Sequence, residues 1–178
     1  MNAANLITLL RVVATPLFAM AAWHAAHGGA GSAAAFTFAV AATSDFVDGR
    51  VARRWHSASS AGRVLDHAAD IAFLLTALTT YVALGLAPWW VPASIAASFA
   101  VYVADSLRRS AHPQLLGSRL GHFGGVANYV VVGVLVGNDS VGLGWLPPAL
   151  MHAMFIAVPV YSGLSIFSRL RAAATAPY

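Results

Sequence analysis

Six long apolar runs, at approximately 6–26, 33–54, 62–85, 89–108, 122–138 and 147–168, leave this chain little material for a water-facing surface. Of its 178 residues, 59% are hydrophobic and only 9% charged, where an ordinary soluble domain carries roughly 25% charge. A bilayer core about 30 Å thick needs roughly 20 largely apolar residues of helix to cross, and each run approaches that length. Inside lipid the backbone must satisfy its own polar groups, which leaves helix or closed barrel. No alternating strand pattern of about ten residues is visible, so the runs read as helices. The expected fold is an all-α integral membrane bundle of six transmembrane helices with a short N-terminal interfacial segment, one domain over residues 1–178.

The intervening stretches HGGAGS, HSASSAG, GLAPWW, AHPQLLGSR and GNDSVGLGWLPP are rich in turn formers. The first apolar run differs from a signal peptide in having no Lys or Arg before it and Arg11 within it, so it reads as a retained helix. With no cysteine, disulfides, thiolate nucleophiles and cysteine metal sites are excluded.

All ten basic residues are arginine, and their placement sets an orientation. Arg50, Arg53, Arg54 and Arg63 surround the second connection, Arg108, Arg109 and Arg119 the fourth, and Arg169 and Arg171 follow the sixth helix. The first, third and fifth connections have none. By the positive-inside rule both termini and the even connections are cytoplasmic, with Trp89, Trp90 and Trp145 at the opposite interface. The expected location is the inner or plasma membrane of a prokaryote.

The acids are more telling. All six are aspartate, and four of them (Asp45, Asp48, Asp66 and Asp70) fall in SDFVDGRVARRWHSASSAGRVLDHAAD. The second helix has too few residues before Asp45 to cross a bilayer, so it continues through Asp45 and Asp48. The third, counted back from Gly85, needs Asp66 and Asp70 in its opening turns. Spacings of three and four put each pair on one helix face, and two antiparallel neighbours can aim four carboxylates into one cavity. Each carboxylate at membrane depth costs up to roughly 2.5–3.5 kcal/mol on insertion scales, so a cation is required between them. An all-oxygen donor set suits Mg²⁺ or Mn²⁺. Simple pairing with nearby arginines would satisfy charge but leaves Gly49, Ala52 and Gly62 unexplained. Small residues there let a bulky group approach the backbone, and Arg53 can bind phosphate through two parallel hydrogen bonds.

Asp45-x-x-Asp48-Gly49-x-x-Ala52-Arg53, eight residues, then Gly62-x-x-x-Asp66-x-x-x-Asp70 resembles the signature of the CDP-alcohol phosphatidyltransferases, with every fixed position filled. The opening Asn5-Leu-Ile-Thr8-Leu-Leu-Arg11 is similar to that family's N-terminal segment. The resemblance implies transfer of a phosphatidyl group from CDP-diacylglycerol to an alcohol with release of CMP, in a homodimer embedded in the bilayer, with no nucleic-acid partner. It implies that Asp45, Asp48, Asp66 and Asp70 hold metal, two ions in all, and that Asp70 is also the general base. Asn5, Thr8, Gly49, Ala52, Arg53 and Gly62 would bind the CDP-lipid. A carboxylate that receives the hydroxyl proton and an ion that neutralises the diphosphate are what such a reaction needs.

The acceptor is read from charge. Arg108, Arg109 and Arg119 make a positive surface before the cavity, which favours a phosphorylated polyol, glycerol 3-phosphate ahead of inositol phosphate, with serine or a lipid alcohol as alternatives. Family members that make phosphatidylglycerophosphate often carry lysine after the last motif aspartate; here Ile71 follows Asp70. Asp105, one turn before Arg108 and Arg109, is expected to pair with one of them. Gly117, Gly121, Gly125, Gly133 and Gly137 recur every four residues or a multiple of four, as close helix packing requires. His67 is turned about 100° from Asp66 around the helix, away from the ligand face. Acids lining an ion path would instead suit a divalent-cation transporter, but here they stop at one leaflet and Arg53 would repel the ion.

Overall fold

The computed structural model describes the backbone of residues 3–55, 60–109 and 119–174 and the side chains of residues 8–44, 64–108 and 123–172. Six α-helices follow one another: α1 (Ala3–Ala26), α2 (Ser32–Trp55), α3 (Ser60–Ala83), α4 (Trp90–Arg109), α5 (Arg119–Leu135) and α6 (Pro148–Ala174). A π-helical turn, Val136–Ser140, extends α5. No strand occurs among the described residues.

Among the described residues, three helices contain stretches long and apolar enough to cross a membrane: Thr8–Ala26, Trp90–Arg108 and Pro148–Ala172. The other three differ for physical reasons. The described part of α2 is apolar over Ser32–Ser44, ahead of the acids and arginines in its sequence, α3 opens on charge, and α5 has 17 residues. The N-terminal interfacial segment expected from sequence is not a separate element, because α1 runs unbroken from Ala3.

Helix ends follow from glycine. Gly28 and Gly85 adopt positive φ, 90° and 73°, just beyond α1 and α3. There the Gly29 amide reaches back to the His24 carbonyl and the Leu86 amide to the Tyr81 carbonyl, each at 2.9 Å. These contacts satisfy carbonyls that the ending helix leaves open.

α1 packs on α2 and α3, α4 packs on α6, and α5 touches α3 and α6. The core joins Phe18 and Ala22 of α1 to Phe73, Leu74, Leu78 and Tyr81 of α3, with Val132 and Leu135 from α5. Phe18 meets Phe73 edge-on at 5.4 Å. Burial is inverted relative to a soluble protein. Leu9, Val13, Leu17 and Met20 of α1 and Ile156, Val160, Leu164 and Phe167 of α6 are exposed, while Arg11, Ser44, Ser106 and Ser162 are buried. An apolar exterior around polar interior groups is what lipid selects. Most threonines in these helices answer to their own backbone, as Thr37 does to the Ala33 carbonyl and Thr80 to the Thr76 carbonyl, both at 2.8 Å.

Glycine packing departs in part from the four-residue pattern. A Cβ on Gly133 would press on the Phe38 ring at 3.1 Å, so α5 approaches α2 there, and one on Gly137 would sit 3.4 Å from the Trp145 indole. Gly125 has nothing within 4 Å, and its neighbour Gly124 is the one set against Tyr161 of α6. Helix rotation decides which of two adjacent glycines faces a partner. Gly117 and Gly121 lie outside the residues with described side chains.

Candidate active site

One face of α1 carries Thr8, Arg11, Ala14, Phe18 and Ala22, all buried, at the three- and four-residue spacings that align side chains along a helix. Arg11 therefore points into the bundle with its apolar neighbours, and its side chain has 0% exposure. The facing strip of α3 runs Asp66, Asp70, Phe73, Ala77 and Tyr81, in which the apolar part is buried and the two acids, at 28% and 18% side-chain exposure, border open space.

Packing α1 on α3 joins these strips. Arg11 Nη1 lies 2.9 Å from Asp66 Oδ1 and 2.7 Å from Asp70 Oδ1. A buried guanidinium needs opposite charge in place of its water, and these two carboxylates supply it at Nη1. The Thr8 hydroxyl adds a long hydrogen bond to Asp66 Oδ1 at 3.5 Å. From α5 the Tyr129 hydroxyl donates to Asp70 Oδ1 at 3.1 Å.

Of the residues singled out in the sequence, Asp66, Asp70 and Thr8 thus come together, joined by two others. In the sequence Arg11 stands as a break in an apolar run and as part of the opening motif, and Tyr129 carries no motif. A charged residue among buried positions of a membrane helix is itself a signal to look for a partner; nothing local marks Tyr129. The side chains of Asn5, Asp45, Asp48, Gly49, Ala52, Arg53, Gly62, Arg109 and Arg119 lie outside the described set, although their backbones are helical. Asp66 and Asp70 are hard oxygen donors on one helix face, borne by partly exposed carboxylates, and this chemistry fits a share of a Mg²⁺ or Mn²⁺ shell. No cluster of three ligands occurs among the described residues.

A second polar group ties α4 to α6. Arg169 reaches Asp105 at 3.3 Å and lies over the Tyr102 ring at 4.4 Å. Asp105 is thus engaged across helices by a half-buried arginine of α6 that local spacing could not reveal; the side chain of Arg109, one of the partners expected on its own helix, lies outside the described residues. Arg108 is exposed. His67, also exposed, leans toward Tyr102 with ring centroids 6.3 Å apart, consistent with its rotation away from Asp66.

At the other end of the bundle, a groove of about 670 Å³ between α1 and α3 is lined by residues including Met20, Trp23, His24 and Thr79. His27 stacks on Trp23, so both histidines of this region stand apart from the aspartates.

A sequence profile of the family described as CDP-alcohol phosphatidyltransferase matches residues 1–163. A probable phosphatidylglycerophosphate synthase of Mycobacterium tuberculosis is 33% identical over 140 residues, 76% of this chain and 66% of that protein. A cardiolipin synthase (CMP-forming) of Streptomyces coelicolor is 33% identical over 113 residues, 61% of this chain and 53% of the relative. The CDP-diacylglycerol–glycerol-3-phosphate 3-phosphatidyltransferase of Escherichia coli is 36% identical over 90 residues, 51% and 48% of the two chains. The matched stretches thus span about half to two thirds of these relatives' own length.

Proposed function

The chain belongs to the CDP-alcohol phosphatidyltransferase family, and on that premise we propose that it transfers a phosphatidyl group from CDP-diacylglycerol to glycerol 3-phosphate, releasing CMP. The observation that carries this reading is the convergence of Asp66 and Asp70 on the buried Arg11, at a point where a lipid can keep its tails in the bilayer and its diphosphate at the helix ends. The names of the Mycobacterium and Escherichia relatives support the acceptor.

The acceptor hydroxyl gives its proton to Asp70 as its oxygen forms a bond to the phosphatidyl phosphorus, and the anhydride bond to CMP breaks. Asp45, Asp48, Asp66 and Asp70 would hold the two divalent ions, Mg²⁺ or Mn²⁺. Such ions, when bound, neutralise the diphosphate and the departing CMP. Gly49, Ala52 and Gly62 leave room for the cytidine diphosphate, Arg53 takes its phosphate, and Asn5 and Thr8 border the lipid headgroup. Arg11 holds the two α3 carboxylates in place from within the bundle. Arg108, Arg109 and Arg119 receive the acceptor phosphate. In this reading all six helices cross the membrane, the site and both termini face the cytoplasm of a prokaryote, and the enzyme works as a homodimer.

The Streptomyces relative favours a second reading, the same chemistry with a lipid alcohol as acceptor. CMP release by purified protein from CDP-diacylglycerol, with glycerol 3-phosphate, phosphatidylglycerol, inositol phosphate or serine, separates them. Glycerol 3-phosphate should be the best substrate, and activity should vanish with chelator and return with Mg²⁺ or Mn²⁺. Asp70→Asn should lower turnover by about 10² to 10⁴, the range for a lost general base. No CMP with any acceptor, or full turnover in metal-free buffer, would overturn the reading.

A further inference from the structure

α5 contributes no residue to the signature, yet it places one hydroxyl on the reactive carboxylate. Tyr129 stacks on Phe73, with centroids 6.0 Å apart and planes 14° from parallel, and also faces Phe38 of α2 at 6.4 Å. Phe73 lies three residues after Asp70 on the same face of α3, so a ring seated on Phe73 carries its hydroxyl toward Asp70. It arrives at Oδ1, 3.1 Å away, the same oxygen that Arg11 Nη1 approaches at 2.7 Å. An oxygen with two donors has its lone pairs engaged, one of them in a charge-assisted bond.

We propose that Tyr129 is a positioning residue for Asp70: with Arg11 it anchors Oδ1 and fixes the plane of the carboxylate, so that Oδ2 is the atom that receives the acceptor proton. The proposal rests on Asp70 being the base. Two donors from different helices restrain the carboxylate more than either alone, because rotation about the Cβ–Cγ bond would break both contacts. The phenol of Tyr129 takes no part in proton transfer. Its ring position is set by aromatic stacking, and its hydroxyl transmits that position to the base.

The test is Tyr129→Phe, which keeps the ring on Phe73 and removes only the hydroxyl. CMP release at saturating CDP-diacylglycerol should fall about 10- to 100-fold, the scale of one hydrogen bond to a charged group, while KM for CDP-diacylglycerol stays within about two-fold. In an Asp70→Asn background the same substitution should cause no further loss, since groups acting as a unit are not additive. A readout independent of turnover and metal is the infrared carboxylate band of the metal-free protein. Its side-chain carboxylates are six aspartates alone, and loss of a donor should move part of the antisymmetric stretch to higher wavenumber. Unchanged turnover in Tyr129→Phe, an equal loss in the Asp70→Asn background, or an unchanged infrared band would each overturn the proposal. Near-normal turnover of Asp70→Asn alone would remove the base assignment and the proposal together, whereas a crippled Asp70→Asn beside a normal Tyr129→Phe would remove the proposal only.

Discussion

At the Asp70 end of the bundle a tyrosine from α5 and an arginine from α1 donate to the same carboxylate oxygen, 3.1 and 2.7 Å away. At the opposite end the Tyr81 hydroxyl meets the Ser140 hydroxyl at 2.7 Å, and the nearby Asp139 is served by the Asn138 amide at 3.3 Å, with its Oδ2 buried and lacking a hydrogen-bond partner among the described residues. Both ends thus draw a tyrosine from one helix onto a polar group of another. Only the first end brings a buried cation. Burial pushes the Asp139 carboxyl above the usual carboxylate range, with the Asn138 amide pulling the other way. The difference teaches that one end of the fold sets a buried cation against its carboxylates, while the other tolerates a carboxylate that burial disfavours.

Removing the buried cation should break this contrast most severely. Arg11→Met leaves Asp66 and Asp70 without the cation between them, and loss of one partner of a buried pair costs about 3–5 kcal/mol, with the lower figure expected because both acids are partly exposed. Turnover should fall by at least about 10²-fold, the scale of a displaced reacting group. Arg11→Lys keeps the charge and should recover part of the stability. Melting in detergent together with CMP release measures both, and an Arg11→Met protein that melts like the parent would refute the idea that the ends differ in charge support.

Tyr81→Phe, the counterpart of Tyr129→Phe, should separate the ends by function. Tyr81 is fully buried, and its lost hydrogen bond should cost about 1 kcal/mol of stability. CMP release per folded molecule should stay at the parental level, because Ser140 belongs to a structural contact. A loss of turnover comparable to that expected for Tyr129→Phe would mean that the two ends are coupled.

The smallest effect is expected at Asp139, and it depends on pH. A carboxyl whose folded pKa is raised favours the protonated native state, so its contribution to stability is complete below the unfolded value of about 3.9 and is lost as pH rises through the folded value. Asp139→Asn is neutral at every pH. Its melting temperature should therefore climb relative to the parent between mildly acidic and neutral pH. A constant offset across that range would show that Asp139 is not strained by burial.

Much of this was legible in the residues because it depends on short-range spacing. Apolar run lengths gave six helices whose ends fall within a few residues of 6–26, 33–54, 62–85, 89–108 and 122–138; the last helix continues to Ala174, beyond the expected 168, because its polar tail extends the same helix. Three- and four-residue spacing placed Asp66 and Asp70 on one face, and a match over residues 1–163 bears out the family resemblance carried by the aspartate motif. Spacing also turned His67 away from Asp66. It could not reveal Arg169 as a partner of Asp105, 64 residues away.

What the sequence by itself determined is therefore the set of helices, the family and the helix face shared by Asp66 and Asp70, since these follow from composition, from the motif and from the 3.6-residue period of one helix. Only the tertiary structure decided that Arg11 is the cation between Asp66 and Asp70, 55 residues from the first, and that Tyr129 reaches Asp70 across 59 residues. Such pairings depend on how α1, α3 and α5 are rotated against one another. That rotation is fixed by the fit of Phe18, Phe73 and the other core side chains, a property of the packed bundle that no single helix carries.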